Sequence, residues 1–230
     1  MLPGEEAVLD RPVWAALATR HAALSLGDGR ARRYAPDVNL FASARDDSAE
    51  AHAAVRNLVN PGEKVFVLQV PMIVVPDGFG VLKAATGVQM VATAPVSPDV
   101  SAEIVPLTDT DAPEMLPLAT LTEPGPFLSR THVMGRFLGV RIGGRLAAMA
   151  GERFSFPGFT EVSGVCTHPD FRGKGLARRL SATVTARSQA RGEQPFLHAW
   201  MSNEPAIRLY ESLGFEIRAA VDVKVLERVT

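Results

Sequence analysis

The stretch Val165-Cys-Thr-His-Pro-Asp-Phe-Arg-Gly-Lys-Gly-Leu-Ala177 decides how this chain is read. Its pattern predicts the end of a β-strand, a basic glycine turn and the start of an amphipathic helix. Leu176, Leu180 and Val184 recur at four-residue steps and so share one helix face. The first turn of a helix leaves backbone N–H groups unpaired and carries a partial positive charge. Gly173 and Gly175 let a ligand approach the backbone without a Cβ in the way. Arg172 and Lys174 add positive charge beside them. Such a turn suits a diphosphate. It is not a Walker loop, because Lys174 is followed by Gly175 and not by Ser or Thr. Nor does it space three glycines as a dinucleotide fold does.

The run Arg172-x-x-Gly-x-Ala177, set directly after a strand and a Thr-His-Pro corner, resembles the CoA-diphosphate motif of the GNAT acetyltransferases. About thirty residues on, Trp200-Met-Ser-Asn203-Glu-Pro-Ala-Ile-Arg-Leu-Tyr210-Glu-Ser-Leu-Gly214-Phe215 is similar to that family's closing strand–helix segment. Read residue by residue, Asn203 caps a helix, Pro205 sits in its first turn and Gly214 stops it. The phrase Glu161-Val-Ser-Gly-Val-Cys-Thr-His-Pro169 resembles the subgroup related to glycine N-acyltransferase. The resemblance covers residues 102–230. It implies an α+β fold, a mixed and mostly antiparallel sheet flanked by helices. It also implies that residues 1–101 form a smaller N-terminal α/β region, open to being a degenerate half of similar build. No motif in that region supports or excludes this.

Outward from these segments, the pattern predicts helices from Asp10 and Pro12 towards Gly27, from Asp47 or Ser48 to Val59 and from Asp111 to Thr122. It predicts strands at Lys64–Val70, Met72–Val75 and Val88–Thr93 in the first half. In the second half it predicts Ala102–Leu107, Phe137–Ile142, Arg145–Gly151, Thr160–Thr167 and Pro195–Met201, with a last strand or hairpin over Glu216–Arg228. Gly27–Arg33 reads as a surface loop. Pro117 inside the third helix calls for a kink or a break. The Pro- and Ser-containing run from Thr93 to Ser101 suggests a domain boundary, giving regions 1–101 and 102–230.

The chain has 230 residues, 47% of them hydrophobic, and a formal net charge of −1. That balance, with neither half basic, argues against a nucleic-acid binder. Cys166 is the only cysteine, so no internal disulfide and no cysteine metal framework is available. No metal is expected. The first residues carry no basic segment ahead of a long apolar run, and the longest apolar stretches fall far below a membrane span of about 20 residues. A cytoplasmic protein without membrane contact is the expectation. The oligomeric state is open, a homodimer included.

The resemblance further implies acetyl-CoA as co-substrate, held where two neighbouring strands splay apart. Carried over, Val165, Cys166 and Thr167 supply backbone bonds to the pantetheine arm. Gly173, Lys174, Gly175, Leu176 and Ala177 cradle the diphosphate with Arg172, and Asn203 touches the arm. A backbone N–H near Val165 would hold the thioester oxygen. The acceptor would be a small-molecule amine or amino acid. Such an amine is mostly protonated at neutral pH, so a base is useful. Glu161 is the candidate, four residues and about 13 Å before Val165 and acting through water. An ordinary strand-end carboxylate is its other reading. Tyr210 is the candidate acid for the departing thiolate, or else a core tyrosine. His198 is an interior histidine, a substrate contact or an alternative base. Cys166 alternates away from Val165, and direct transfer needs no acyl-enzyme. An acyl-CoA-binding module without catalysis, serving as a sensor or interaction surface, is the alternative function.

Overall fold

A computed structural model describes residues 6–99 and 103–229. In chain order the elements are α1 (Pro12–Ala18), β1 (Ser25–Gly27), β2 (Ala31–Tyr34), β3 (Ala42–Ala44), α2 (Ala49–Leu58), β4 (Lys64–Gln69) and β5 (Phe79–Ala92). Then come β6 (Ile104–Leu107), α3 (Ala112–Thr122), β7 (Phe137–Ile142), β8 (Arg145–Phe156) and β9 (Phe159–Thr167). The last are α4 (Leu176–Gln189), β10 (Gln194–Trp200), α5 (Glu204–Glu211) and β11 (Phe215–Arg228). Short 3-10 turns punctuate the loops. None of the described helices is long and apolar enough to cross a membrane.

Strands β1–β3 form a small separate sheet. The other eight form one sheet in the order β4-β11-β5-β10-β9-β8-β7-β6. Every pair in it is antiparallel except β9 with β10. The expected mixed, mostly antiparallel sheet with flanking helices is therefore present.

Alternation along the strands sorts the core into two layers. On one face α1 packs Val13 and Leu17 against Phe41, Phe154, Phe156 and Phe196. On the same side α3 packs Met115 and Leu118 against Phe137, Met149 and Cys166. On the opposite face Leu176, Leu180 and Val184 of α4, with Tyr210 of α5, cover Met90, Leu138, Val162 and Leu197. The adjacent residues Phe196 and Leu197 thus serve opposite layers.

Several expectations are corrected. The division into 1–101 and 102–230 keeps the small β1–β3 sheet on one side but runs through the main sheet, because β4 and β5 lie in it and β5 sits between β10 and β11. The boundary itself falls on residues 100–102, outside the described residues. Gly27–Arg33 is not a free loop but part of the β1–β2 hairpin. Arg33 there is buried and bonded to Glu63 at 2.8 Å. Met72–Val75 forms no strand, whereas β5 extends over 14 residues. Pro117 leaves α3 in one piece. It sits only six positions into an 11-residue helix, so the lost backbone bond falls near the first turn.

A chain lacking residues 1–101 is expected not to fold, because β10 and β11 lose the strand between them. Circular dichroism with thermal melting checks this: the fragment should show no cooperative transition, and a cooperative melt would restore the two-region division.

Candidate active site

The β9–β10 pairing is short. It runs through Gln194↔Phe159, Pro195↔Thr160 and Phe196↔Glu161 and then stops. Beyond it β10 stays paired to β5 as far as Trp200↔Gly87, while β9 stays with β8 as far as Thr167↔Ala148. The two strands therefore diverge into a wedge with Glu161 at its vertex.

A cavity of about 300 Å³ passes through this wedge. Ala177 of α4 and Asn203, Ala206, Leu209 and Tyr210 line it on one face of the sheet. Phe41, Phe66, Leu68, Arg153, His198, Val221 and Val223 line it on the other. Val162–Val165 of β9 and Ala199 of β10 form the rims between. Two molecules could thus meet in the gap from opposite sides of the sheet.

Two bulges shape the wedge. On β9 the register slips between Ser163 and Cys166, opposite Gly151 and Met149. One residue of Gly164–Val165 is left out of the ladder, which frees backbone polar groups beside the cavity. Gly164 has φ +61°, and a Cβ there would lie 2.8 Å from the Phe137 ring. Only glycine suits that position. The slip also reverses the alternation. Val165 packs towards the α4 layer and Cys166 towards α3. Glu161 and Val165 therefore do not share a face, as an unbroken strand would require. On β8 a second slip falls between Glu152 and Ser155, and it turns Arg153 and Phe154 towards Glu161.

Glu161 is fully buried. Its Oε2 accepts from Arg153 Nε at 2.7 Å and from the Phe154 N–H at 3.2 Å. Its Oε1 accepts from Arg153 Nη2 at 2.6 Å and lies 2.6 Å from His198 Nδ1. Burial pushes the carboxyl up, but the Arg153 charge and the Arg153 and His198 hydrogen bonds outweigh it and bring it down to about 2. Neither oxygen is left for a water in the cavity. The role of base through water, expected for Glu161, does not fit this geometry. A carboxylate so committed positions its partners.

His198 is likewise committed. It faces Gln89 across the β5–β10 pair, with Nε2 3.1 Å from Gln89 Nε2. Gln89 Nε2 also donates to the Leu9 carbonyl at 2.8 Å, and Gln89 Oε1 accepts from Arg218 Nη1 at 2.9 Å. These bonds fix the amide orientation. His198 Nε2 must then accept, and Nδ1–H donates to Glu161. The ring presents its edge, not a free nitrogen, to the cavity.

The glycine turn has the form the sequence predicts. Gly173 and Gly175 have φ +77° and +71°, and nothing lies within 4 Å of where their Cβ atoms would stand. Gly175 occupies the N-cap of α4 without a side-chain cap bond, so the first-turn amides meet no side-chain acceptor. Arg172 and Lys174 are exposed. An open, basic, amide-rich cradle of this kind fits a diphosphate.

Tyr210 is almost fully buried on the α5 side of the cavity, and burial pushes its phenol up to about 12. Asn203 caps α5 by accepting from the Ala206 N–H at 3.3 Å and also lines the cavity. Burial pushes the Cys166 thiol up to about 11, which makes it a poor nucleophile. Thr167 of β9 pairs with Ala148 of β8, and its hydroxyl is buried with no hydrogen-bond partner among the described residues.

Among the charged residues that line the cavity, sequence reasoning missed Arg153 and Glu123. Glu123 has φ 48° and is the non-glycine residue with left-handed backbone among the described residues. It closes α3, its N–H bonded to the Ala119 carbonyl at 2.8 Å. Glycine is usual at such a helix stop. A glutamate there, ahead of Pro124-Gly125-Pro126, was the readable signal. Its carboxylate makes no ion pair or hydrogen bond among the described residues, and the residue is exposed and lines the cavity.

Known proteins bear on this arrangement. A solved structure from Novosphingobium aromaticivorans, described as an acetyltransferase of the GNAT family, is 45% identical. It aligns over 96% of this chain and 99% of its own, with a TM-score of 0.90. The chain belongs to the GNAT family. GNAT acetyltransferases use acetyl-CoA as co-substrate, in keeping with the cradle beside α4. The FR47-like protein family matches residues 137–223, which contain the wedge, the glycine turn and α5. Over 64 residues the chain is 45% identical to mycothiol acetyltransferase of Thermobispora bispora. That match spans 27% of this chain and only 21% of that protein. A GCN5-related N-acetyltransferase from Kribbella flavida shares the GNAT fold at a TM-score of 0.62 and 17% identity, over 99% of this chain and 96% of its own.

The Glu161 cluster carries a pH signature. Its carboxyl titrates lower in the folded chain than its ordinary value of 4.5, so its stabilisation is present above 4.5 and is lost as pH falls towards 2. Glu161→Gln should lower the unfolding free energy near neutral pH by about 3 kcal/mol. Denaturant melts of both proteins across pH should show the gap narrowing below 4.5. A gap independent of pH would contradict the ionised cluster.

Proposed function

We propose that the protein transfers an acetyl group from acetyl-CoA to a primary amine by direct attack within the wedge. The observation that carries this reading is the cavity between β9 and β10, lined by residues from both faces of the sheet. Bound acetyl-CoA would supply an activated acetyl group as its thioester. The amides from Gly173 to Ala177, with Arg172 and Lys174, hold the diphosphate end. Val165, Cys166 and Thr167 offer backbone groups along the arm, with Asn203 opposite. The backbone N–H freed near Val165 donates to the carbonyl oxygen as negative charge builds there.

Glu123, not Glu161, takes the proton from the acceptor amine, since it is the open carboxylate of the cavity wall. Tyr210 donates to the sulfur. A phenol near 12 is a weaker acid than a thiol of about 8.5, so its main contribution is a hydrogen bond to the developing thiolate. Glu161 keeps Arg153 and His198 in place. The phrase Glu161–Pro169 supports a place in the subgroup related to glycine N-acyltransferase. The short match to mycothiol acetyltransferase supports a small-molecule acceptor.

Release of free thiol from acetyl-CoA with a panel of amines tests this function. Amine-dependent release is expected, whereas tight CoA binding with every amine inert would leave an acyl-CoA-binding module. Tyr210→Phe and Glu123→Gln should each lower kcat by about tenfold or more while CoA binding changes little. An unchanged kcat in either variant removes that residue from its role.

A further inference from the structure

The acceptor end of the cavity is more specific than an amine site needs to be. Arg153 is about nine-tenths buried, with its guanidinium over the Phe41 and Phe154 rings at 5.0 and 4.5 Å. A guanidinium has five N–H donors. Glu161 takes Nε–H and one Nη2 hydrogen. Nη1 makes no hydrogen bond among the described residues, and Arg153 lines the cavity. The end of the fork formed by Nη1 and the second Nη2 hydrogen is therefore unspent. It matches a carboxylate bidentately.

From this we infer that the acceptor is an amino acid with a large apolar side chain, its carboxylate on the free fork of Arg153. The inference rests on the acetyltransferase reading above and names its substrate class. Three observations converge on it. The first is charge. Glu161 already neutralises Arg153, so a lone carboxylate would leave the cluster with a net negative charge. A zwitterion adds none. The second is placement. Nη1 lies 3.6 Å from where a Cβ of Gly125 would stand, two residues from Glu123. An open cation and an open carboxylate thus belong to one loop neighbourhood on one cavity. That complements a compact molecule carrying both charges. The third is the wall. Phe41, Phe66, Leu68, Val221 and Val223 line the same side. Glycine would leave this apolar surface uncovered, and a leucine or phenylalanine side chain would cover it.

The test uses the intact chain, acetyl-CoA and thiol release. The acceptors are L-phenylalanine, 2-phenylethylamine, L-phenylalaninamide and glycine. The amine lacks the carboxylate, the amide lacks its charge, and glycine lacks the body. L-Phenylalanine should exceed each of the other three in kcat/KM by about tenfold or more. Arg153→Lys keeps the charge but not the fork, and should shrink the advantage over the amine and the amide while leaving the advantage over glycine. The wild-type ratios decide the matter even if that variant does not fold. Equal use of 2-phenylethylamine or the amide overturns the carboxylate site and leaves amine acetylation standing. Glycine equal to phenylalanine overturns the apolar requirement. Inertness of all four also overturns the inference, while acetyl transfer itself falls only if polyamines and aminoglycosides are inert too.

Discussion

A carboxylate buried at the vertex of two diverging strands needs its charge matched, and Glu161 has that matching from the strands on both sides of its own. Arg153 reaches it from β8, His198 from β10, and its own strand is β9. Arg153 Nη2 and His198 Nδ1 each lie 2.6 Å from the same oxygen, so they can be no further apart than twice that distance. Strands β9 and β10 stop pairing at this residue, and the cluster joins them where their backbone bonds end. Removing one partner would leave an uncompensated buried charge, which is costly. The chain of bonds continues through Gln89 to Arg218 and Asp10, across β5 and β11 to the start of α1.

From that constraint follow the shape and polarity of the site. The α4 and α5 layer brings the open glycine turn, Asn203 and Tyr210 to one mouth of the wedge. The α1 and α3 layer, with residues of the small N-terminal region, brings Arg153, Glu123 and an apolar wall to the other. A donor and an acceptor entering from opposite faces do not compete for space. The bulge at Gly164–Val165 lies where they would meet, and it turns backbone donors out of the ladder. Membership of the GNAT family implies acetyl-CoA as co-substrate, and the wedge beside the open glycine turn is the place proposed for it.

The legible parts of the sequence were those set by local chemistry. The glycine turn announces itself because Gly173 and Gly175 must have positive φ and a helix must begin beside them. Asn203 was readable as a cap from its own neighbours, and its side chain does accept from the Ala206 N–H. What depended on distant partners was not legible. Strand β5 becomes central only because β10 and β11 close on both its edges. Arg33 looked solvated until Glu63, thirty residues on, supplied its partner. Glu161 looked like a base because nothing local shows that Arg153 and His198 will claim both its oxygens. The single-residue slip in β9 reversed the facing of Val165, and alternation read along a sequence has no way to register a slip made against a neighbouring strand.

A crystal structure of the protein with bound CoA bears most directly on the central claim. The account predicts the diphosphate against the amides of Gly173–Ala177 and the pantetheine arm between β9 and β10. The sulfur should lie near Tyr210, with the Glu161 bonds to Arg153 and His198 intact. CoA bound outside the wedge, or Glu161 released from its partners to face the thioester, would contradict it.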